Sequence, residues 1–286
     1  MEHVKLREKI GYGLGDAASS MFWKLFTMYL LFFYTDVVGI SAAVVGTMFL
    51  ITRIWDTFLD PFIGILGDRT HSRFGKFRPY LLWGAIPFGL CGILTFSSWG
   101  GDSEISKIVY AYVTYTLMMM VYSFVASLLG VMSPDPQTRT SLSSYRMTFA
   151  FGGSILVLFL IEPLVDIFSK MKIVDGVPSQ AFGWQMAAVV FAILAAIMFF
   201  LTFSWTKERV KPIKEEKTSL KDDVKDLATN KPWWILLVAG IMVIGFNSLR
   251  DGSAVYYFKY YVEASDTFSF TFMSASVTLI TIYLVL

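Results

Sequence analysis

Long apolar runs separated by short charged segments leave this chain few ways to fold. Eight windows qualify, at 11–35, 41–66, 79–98, 106–131, 145–165, 182–204, 233–262 and 267–286. About 20 apolar residues in a helix cross the hydrocarbon core of a bilayer. The windows lack the alternation over about 10 residues that marks a membrane barrel strand. With no water to satisfy the backbone, helices remain, and the spacing predicts an all-α membrane protein. Composition agrees: 55% of the 286 residues are hydrophobic and 16% are charged, against about 25% charged in soluble domains. Disorder and a water-soluble enzyme are thereby disfavoured. A net charge of +2 without a basic stripe gives no footprint for nucleic acid. Cys91 is the only cysteine, so no internal disulfide forms, and no Cys/His set has zinc spacing. Met1–Lys9 is charged, but the apolar run after it is too long for a signal peptide and has no small-residue cleavage site.

Basic residues orient the spans. Lys5, Arg7 and Lys9, then Arg69, Arg73, Lys76 and Arg78, then Arg139, then eight residues from Lys207 to Lys231 fall in alternate connections, while the opposite connections hold only Lys107, Lys170 and Lys172. The positive-inside rule therefore predicts a cytoplasmic N-terminus. The segment 206–232 mixes both charges and is the clearest boundary. It divides the chain into a six-span unit at 1–205, a cytoplasmic linker at 206–232 and two spans at 233–286. Leu220, Val224 and Leu227 have helical spacing, so the linker reads either as an amphipathic surface helix or as a solvated connection. The last span stops at Leu286 without a polar flank, and six spans plus two read as a truncated arrangement.

The informative residues are ionisable ones inside spans. Each costs about 2.5–3.5 kcal/mol at the bilayer centre, so the three in span two, Arg53, Asp56 and Asp60, would together cost roughly 8–10 kcal/mol if they faced lipid. Their spacing places them on one helical face, turned toward protein or water. Asp56 and Asp60, one turn apart, form a hard-oxygen pair suited to a small cation or a proton. Pro61 frees a nearby carbonyl. The plainer alternative is an Arg53–Asp56 pair that neutralises itself, with Asp60 held by another helix. Span one carries Asp16 and Lys24, about two turns apart; each is either a structural charge or part of a site. Gly11, Gly13 and Gly15 follow no strand, so they indicate close helix packing and not a nucleotide loop. Arg146 opens span five, and span seven carries Asn247, Arg250 and Asp251. The adjacent pair faces two ways, each residue open to a charge on another helix. Tyr256, Tyr257, Tyr260 and Tyr261 read mainly as an interfacial belt, with Trp233 and Trp234 opposite. Tyr115 and Tyr122 share a face and suit stacking on a ligand ring.

Gly64-Ile65-Leu66-Gly67-Asp68-Arg69 followed by Arg73-Phe74-Gly75-Lys76-Phe77-Arg78-Pro79 resembles the loop between helices two and three of the major facilitator superfamily. Tyr12-Gly13-Leu14-Gly15-Asp16, Phe33-Tyr34-Thr35-Asp36, Val45-Gly46-Thr47-Met48-Phe49-Leu50 and Arg53-Ile54-Trp55-Asp56 through Asp60-Pro61 resemble, more narrowly, its glycoside–pentoside–hexuronide:cation symporters. Asp135-Pro136 through Arg139-Thr140 and Ser143-Ser144-Tyr145-Arg146 continue the likeness. The resemblance implies a bundle of the major facilitator type with a central cavity, of which this chain carries the first six helices and two of the second bundle. It implies Asp56 and Asp60 as ligands of a coupling Na⁺, Li⁺ or H⁺, with Arg53 beside them. It implies Arg146 near the substrate, and a cytoplasmic gate including Asp68, Arg69, Arg73 and Lys76. Melibiose-type members carry acidic residues late in helix one and in helix four. Here Ser19 and Ser20 stand at the first place, Tyr122 is near the second, and Phe124-Val125-Ala126 lacks the usual proline. The expected substrate contacts are therefore Arg146, Tyr122, Asp16, Lys24 and Ser20, without assuming a galactoside.

The expectation is a monomeric secondary transporter of the plasma (inner) membrane, in contact with lipid, coupling a monovalent cation to a sugar, glycoside or uronide, with no other cofactor. The alternatives are the same scaffold carrying an amphipathic, lipid-like substrate, or a non-transporting sensor or remnant. An enzyme is disfavoured: there is no nucleophile–base set, and His3 and His71 sit in flanking loops.

Overall fold

The computed structural model describes residues 4–69, 78–99, 101, 103–127, 136–207 and 229–262. The expected last span, the 208–228 part of the linker, Arg73 and Lys76 lie outside the described residues, and of Asp68 and Arg69 only the helical backbone is described.

Helix α1 spans Leu6–Lys24. Glu8, in its first turn, accepts from the Lys5 amide at 3.1 Å and places negative charge at the positive end of the helix dipole. The helix continues through two π-type segments, Leu25–Leu30 and Phe33–Val37. It ends before Gly39, whose φ of +84° suits a residue without Cβ. Then come α2 (Ala42–Arg69), α3 (Arg78–Thr95), α4 (Glu104–Ser127), α5 (Pro136–Met171), α6 (Gln180–Trp205) and α7 (Lys231–Tyr256), the last extended by a π turn at Tyr257–Tyr261. Ser179 caps α6 by accepting from the Phe182 amide, and Asn230 caps α7 by accepting from that of Trp233. At 36 residues α5 is about 54 Å long, so it outruns the expected window of 145–165 at both ends. Between α5 and α6 a small hairpin pairs β1 (Ile173–Val174) with β2 (Val177–Pro178). Asp175 and Gly176, both at positive φ, form its two-residue turn.

Among the described residues, five helical stretches are long and apolar enough to cross a membrane: Ala42–Asp60, Glu104–Val125, Thr140–Met171, Gln180–Trp205 and Lys231–Tyr261. Helix α3 adds a shorter apolar one, Pro79–Thr95. Helix α1, with Glu8, Asp16 and Lys24, is the most centrally packed: it lies against α5 and α6, and its π segment meets α7. Helix α2 packs on α4, and α3 on both α4 and α6. Aromatic rings fill the core. Trp184 stacks on Phe96 and meets Phe33 and Tyr29, while Phe88 meets Phe22 and Phe199 edge-on. Two of the four tyrosines expected in an interfacial belt instead join helices: Tyr256 shares a hydrogen bond with Thr35, and Tyr260 donates to Asp36. Tyr257 and Tyr261 are exposed and stacked on each other.

The glycines of α1 sit where packing is closest. A Cβ at Gly11 would come within 2.7 Å of Trp205 Cβ, and one at Gly13 within 2.6 Å of the Phe149 ring. At Gly153 on α5 the obstacle is backbone: a Cβ would meet the Ala17 carbonyl oxygen at 2.5 Å, whereas at neighbouring Gly152 nothing lies within 4 Å. Gly153→Ala should therefore destabilise the protein by about 1–3 kcal/mol through overpacking. Gly152→Ala should be neutral or slightly stabilising through helix propensity. Thermal unfolding of the two variants in detergent checks the contrast.

Candidate functional site

The buried face of α2 is a stripe of Val45, Met48, Thr52, Asp56 and Ile63, all under a tenth exposed. Three of these five are apolar and suit a helix–helix seam; Thr52 and Asp56 put polar oxygens in the middle of it. The seam is pinned to α4 by the Phe49–Tyr115 ring contact at 5.2 Å and by a hydrogen bond from the Tyr112 hydroxyl to the Val44 carbonyl. Asp56 is 7% exposed, and among the described residues neither of its carboxylate oxygens accepts a hydrogen bond. Its nearest cation is Arg53, one turn back, with Nη1 3.7 Å from Oδ2. That separation is too long for a hydrogen bond, and Arg53 is half exposed, so the pair is loose.

Arg53 leans elsewhere as well. Its guanidinium lies 4.7 Å from the centre of the Trp23 ring on α1, a cation–π distance. Trp23 in turn meets Tyr122 of α4, with centroids 5.5 Å apart. Asp60, the other expected cation ligand, is exposed on the same helix. The expected face thus divides: Asp56 points into the α2–α4 seam, while Arg53 and Asp60 stay at its open margin.

The charges of α1 are matched more closely. Arg146 of α5 grips Asp16 through two nitrogens, Nε to Oδ2 and Nη2 to Oδ1 at 3.1 Å, the forked geometry that Arg favours with carboxylates. Its guanidinium also lies 5.4 Å from the Tyr12 ring centre. Lys24, 5% exposed, donates to Asp251 of α7 at 2.7 Å. Asp251 also accepts from its own neighbour Arg250, at 2.7 and 3.0 Å. The two adjacent residues were expected to face apart; in fact the long guanidinium folds back onto the carboxylate while that carboxylate reaches α1. Ser20 is half-buried on α1, and buried Ser19 returns its hydroxyl to the Gly15 carbonyl. The sequence marks Asp251 as a charge open to a partner on another helix, and Lys24 is that partner. Trp23 and Thr52 have no role from sequence, although Trp23 is a large ring one residue before Lys24.

Long apolar helices joined by charge pairs between them suit an integral membrane protein. The MFS/sugar transport protein family matches residues 11–286, and the chain belongs to that family, whose members are transporters and not enzymes. It is 39% identical to the isoprimeverose transporter of Lactiplantibacillus pentosus over 93% of this chain and 56% of that one. It is 38% identical to the inner membrane symporter YicJ of Escherichia coli (strain K12), over 93% and 57%. It is 33% identical to the glucuronide carrier protein homolog of the same organism, over 94% and 58%. The chain thus spans a little over half the length of these relatives.

The Lys24–Asp251 contact predicts an asymmetry. Asp251→Leu strands a buried ammonium and should cost about 3 kcal/mol. Lys24→Met leaves Asp251 with Arg250 and should cost within about 1 kcal/mol. A double-mutant cycle read by thermal unfolding measures the coupling.

Proposed function

We propose that the protein is a secondary active transporter that couples entry of a monovalent cation, Na⁺, Li⁺ or H⁺, to uptake of a sugar, glycoside or uronide. One observation carries the reading: a buried carboxylate in a membrane-spanning helix, Asp56, has no hydrogen-bond donor among the described residues and only a distant arginine. Ionisable groups at that depth mark ion pathways. Two relatives, an isoprimeverose transporter and a glucuronide carrier homolog, support a sugar-type substrate.

In this reading the cation sits at Asp56, with Asp60 at the mouth of the site. Arg146, Tyr122, Asp16, Lys24 and Ser20 face the substrate path, and the segment around Asp68, Arg69, Arg73 and Lys76 gates the cytoplasmic side. Residues 1–205 form one six-helix unit, 206–232 a cytoplasmic linker and 233–286 the start of a second unit. The protein is a monomer of the inner membrane with its N-terminus in the cytoplasm. Rocking of the units around a midplane site gives alternating access. Cation at Asp56 tightens substrate binding, and substrate tightens cation binding by the same factor. Arg53 provides the physical link, since it reaches both the Asp56 carboxylate and the Trp23–Tyr122 rings.

Proteoliposomes of the full-length protein, given an imposed Na⁺, Li⁺ or H⁺ gradient and a panel of radiolabelled glycosides and uronides, test this directly. Uphill accumulation is expected, and Asp56→Asn should abolish it without loss of folded protein. Unchanged coupled accumulation in Asp56→Asn would refute the assignment.

A further inference from the structure

Thr52 stands one turn before Asp56 on the same buried stripe of α2 and is 1% exposed. Its hydroxyl oxygen, like both Asp56 carboxylate oxygens, is sealed from solvent and has no hydrogen-bond partner among the described residues. That is unusual for a threonine within a helix, where the hydroxyl ordinarily bonds the carbonyl four residues back. Thr47 and Thr57, on either side of it on α2, do so at 2.8 and 2.9 Å. Thr95, Thr114 and Thr202 do the same at 2.8, 2.8 and 2.9 Å. Thr52 has the Met48 carbonyl at the same offset and does not bond it. A sealed hydroxyl without a partner is destabilising, and Thr52 stands one turn from a carboxylate with the same deficit.

We infer that the Thr52 hydroxyl is a ligand of the coupling ion, beside the Asp56 carboxylate, and that the ion is a desolvated alkali cation of the Na⁺ or Li⁺ type. This rests on the reading of Asp56 as the cation site and adds a ligand and an ion class to it. Protonation of Asp56 would neutralise the carboxylate but would use only one oxygen of the set. A hard cation is held by several oxygens at once, and a hydroxyl oxygen with two lone pairs serves alongside a carboxylate. The seam supplies these oxygens in a place from which lipid and bulk water are excluded. Tyr115 of α4, 3% exposed and within electrostatic range of Asp56, walls it on the facing helix.

The test is calorimetric titration of the purified full-length protein with NaCl against a choline chloride background, repeated with LiCl. Wild type should bind Na⁺. Thr52→Val keeps the shape without the hydroxyl and should weaken Na⁺ binding at least about tenfold, equivalent to about 1.4 kcal/mol. Thr52→Ser restores the oxygen and should stay within about threefold of wild type. Thermal unfolding adds a second readout. Without Na⁺, Thr52→Val should melt no lower than wild type, because an unpaired hydroxyl has gone. At the same high Na⁺ concentration it should gain less, because stabilisation by a ligand grows with the logarithm of its concentration over Kd. Wild-type Na⁺ affinity in Thr52→Val, with binding lost in Asp56→Asn, would overturn the role of Thr52 and leave the Asp56 site standing. Wild-type affinity in both variants would overturn both readings. Absence of alkali binding by wild type, with proton-driven uptake intact, would overturn the ion class alone.

Discussion

A carboxylate closed into a helix–helix seam without a donor has to find positive charge from somewhere. Asp56 is in that position, and the local architecture follows from it. Helices α2 and α4 are held together by the Phe49–Tyr115 ring contact and the Tyr112–Val44 hydrogen bond, and Asp56 is buried further along the same face of α2. Arg53 is near enough to feel the charge but too far to bond it, at 3.7 Å. A tight, forked Arg–Asp pair there would satisfy the carboxylate and leave nothing to attract an ion. The looseness of the pair therefore supports an exchangeable cation as its third member.

The other charges in the bundle illustrate the contrast. Asp16 is gripped by Arg146, and Lys24 by Asp251. Asp16–Arg146 is a neutral pair, and Asp251 is shared between Lys24 and Arg250; each contact joins two helices and gives an ionised group an opposite charge in a low-dielectric interior. Both pairs have one member on α1, so that helix ties α5 and α7 to a common axis. The far end of this contact repeats the theme without a full ion pair: Thr35 meets Tyr256, and Asp36 accepts from Tyr260. Contacts between α7 and the helix that α1 begins thus run from Lys24 to Asp36.

Much of this was legible in the sequence. Apolar windows near 20 residues located the helices, because the bilayer fixes their length, and Arg53, Asp56, Asp60, Asp16, Lys24 and Arg146 stood out as charges out of place. The ends of α5 were not legible. Helix α5 runs from Pro136 to Met171, beyond the expected window of 145–165 at both ends, because helical backbone continues through polar residues that break an apolar window. The hairpin around Asp175-Gly176 was missed although that dipeptide between Ile-Val and Val-Pro is a turn signal, because four strand residues are easily lost between long apolar runs. Pairings were out of reach as well. Spacing puts Arg53, Asp56 and Asp60 on one side of a helix, but the crossing with α4 decides that only Asp56 is closed in. Thr52 carries no charge and looks like any helical threonine until its unsatisfied hydroxyl is seen next to Asp56.

The most direct measurement is a crystal structure of the full-length protein soaked in a thallium(I) salt, a heavy monovalent ion with a strong anomalous signal. The account predicts an anomalous peak within coordination distance of the Asp56 carboxylate, absent when excess Na⁺ competes. A clean map at that position, with Asp56 closed instead by a hydrogen bond from arginine or another protein donor, would contradict it.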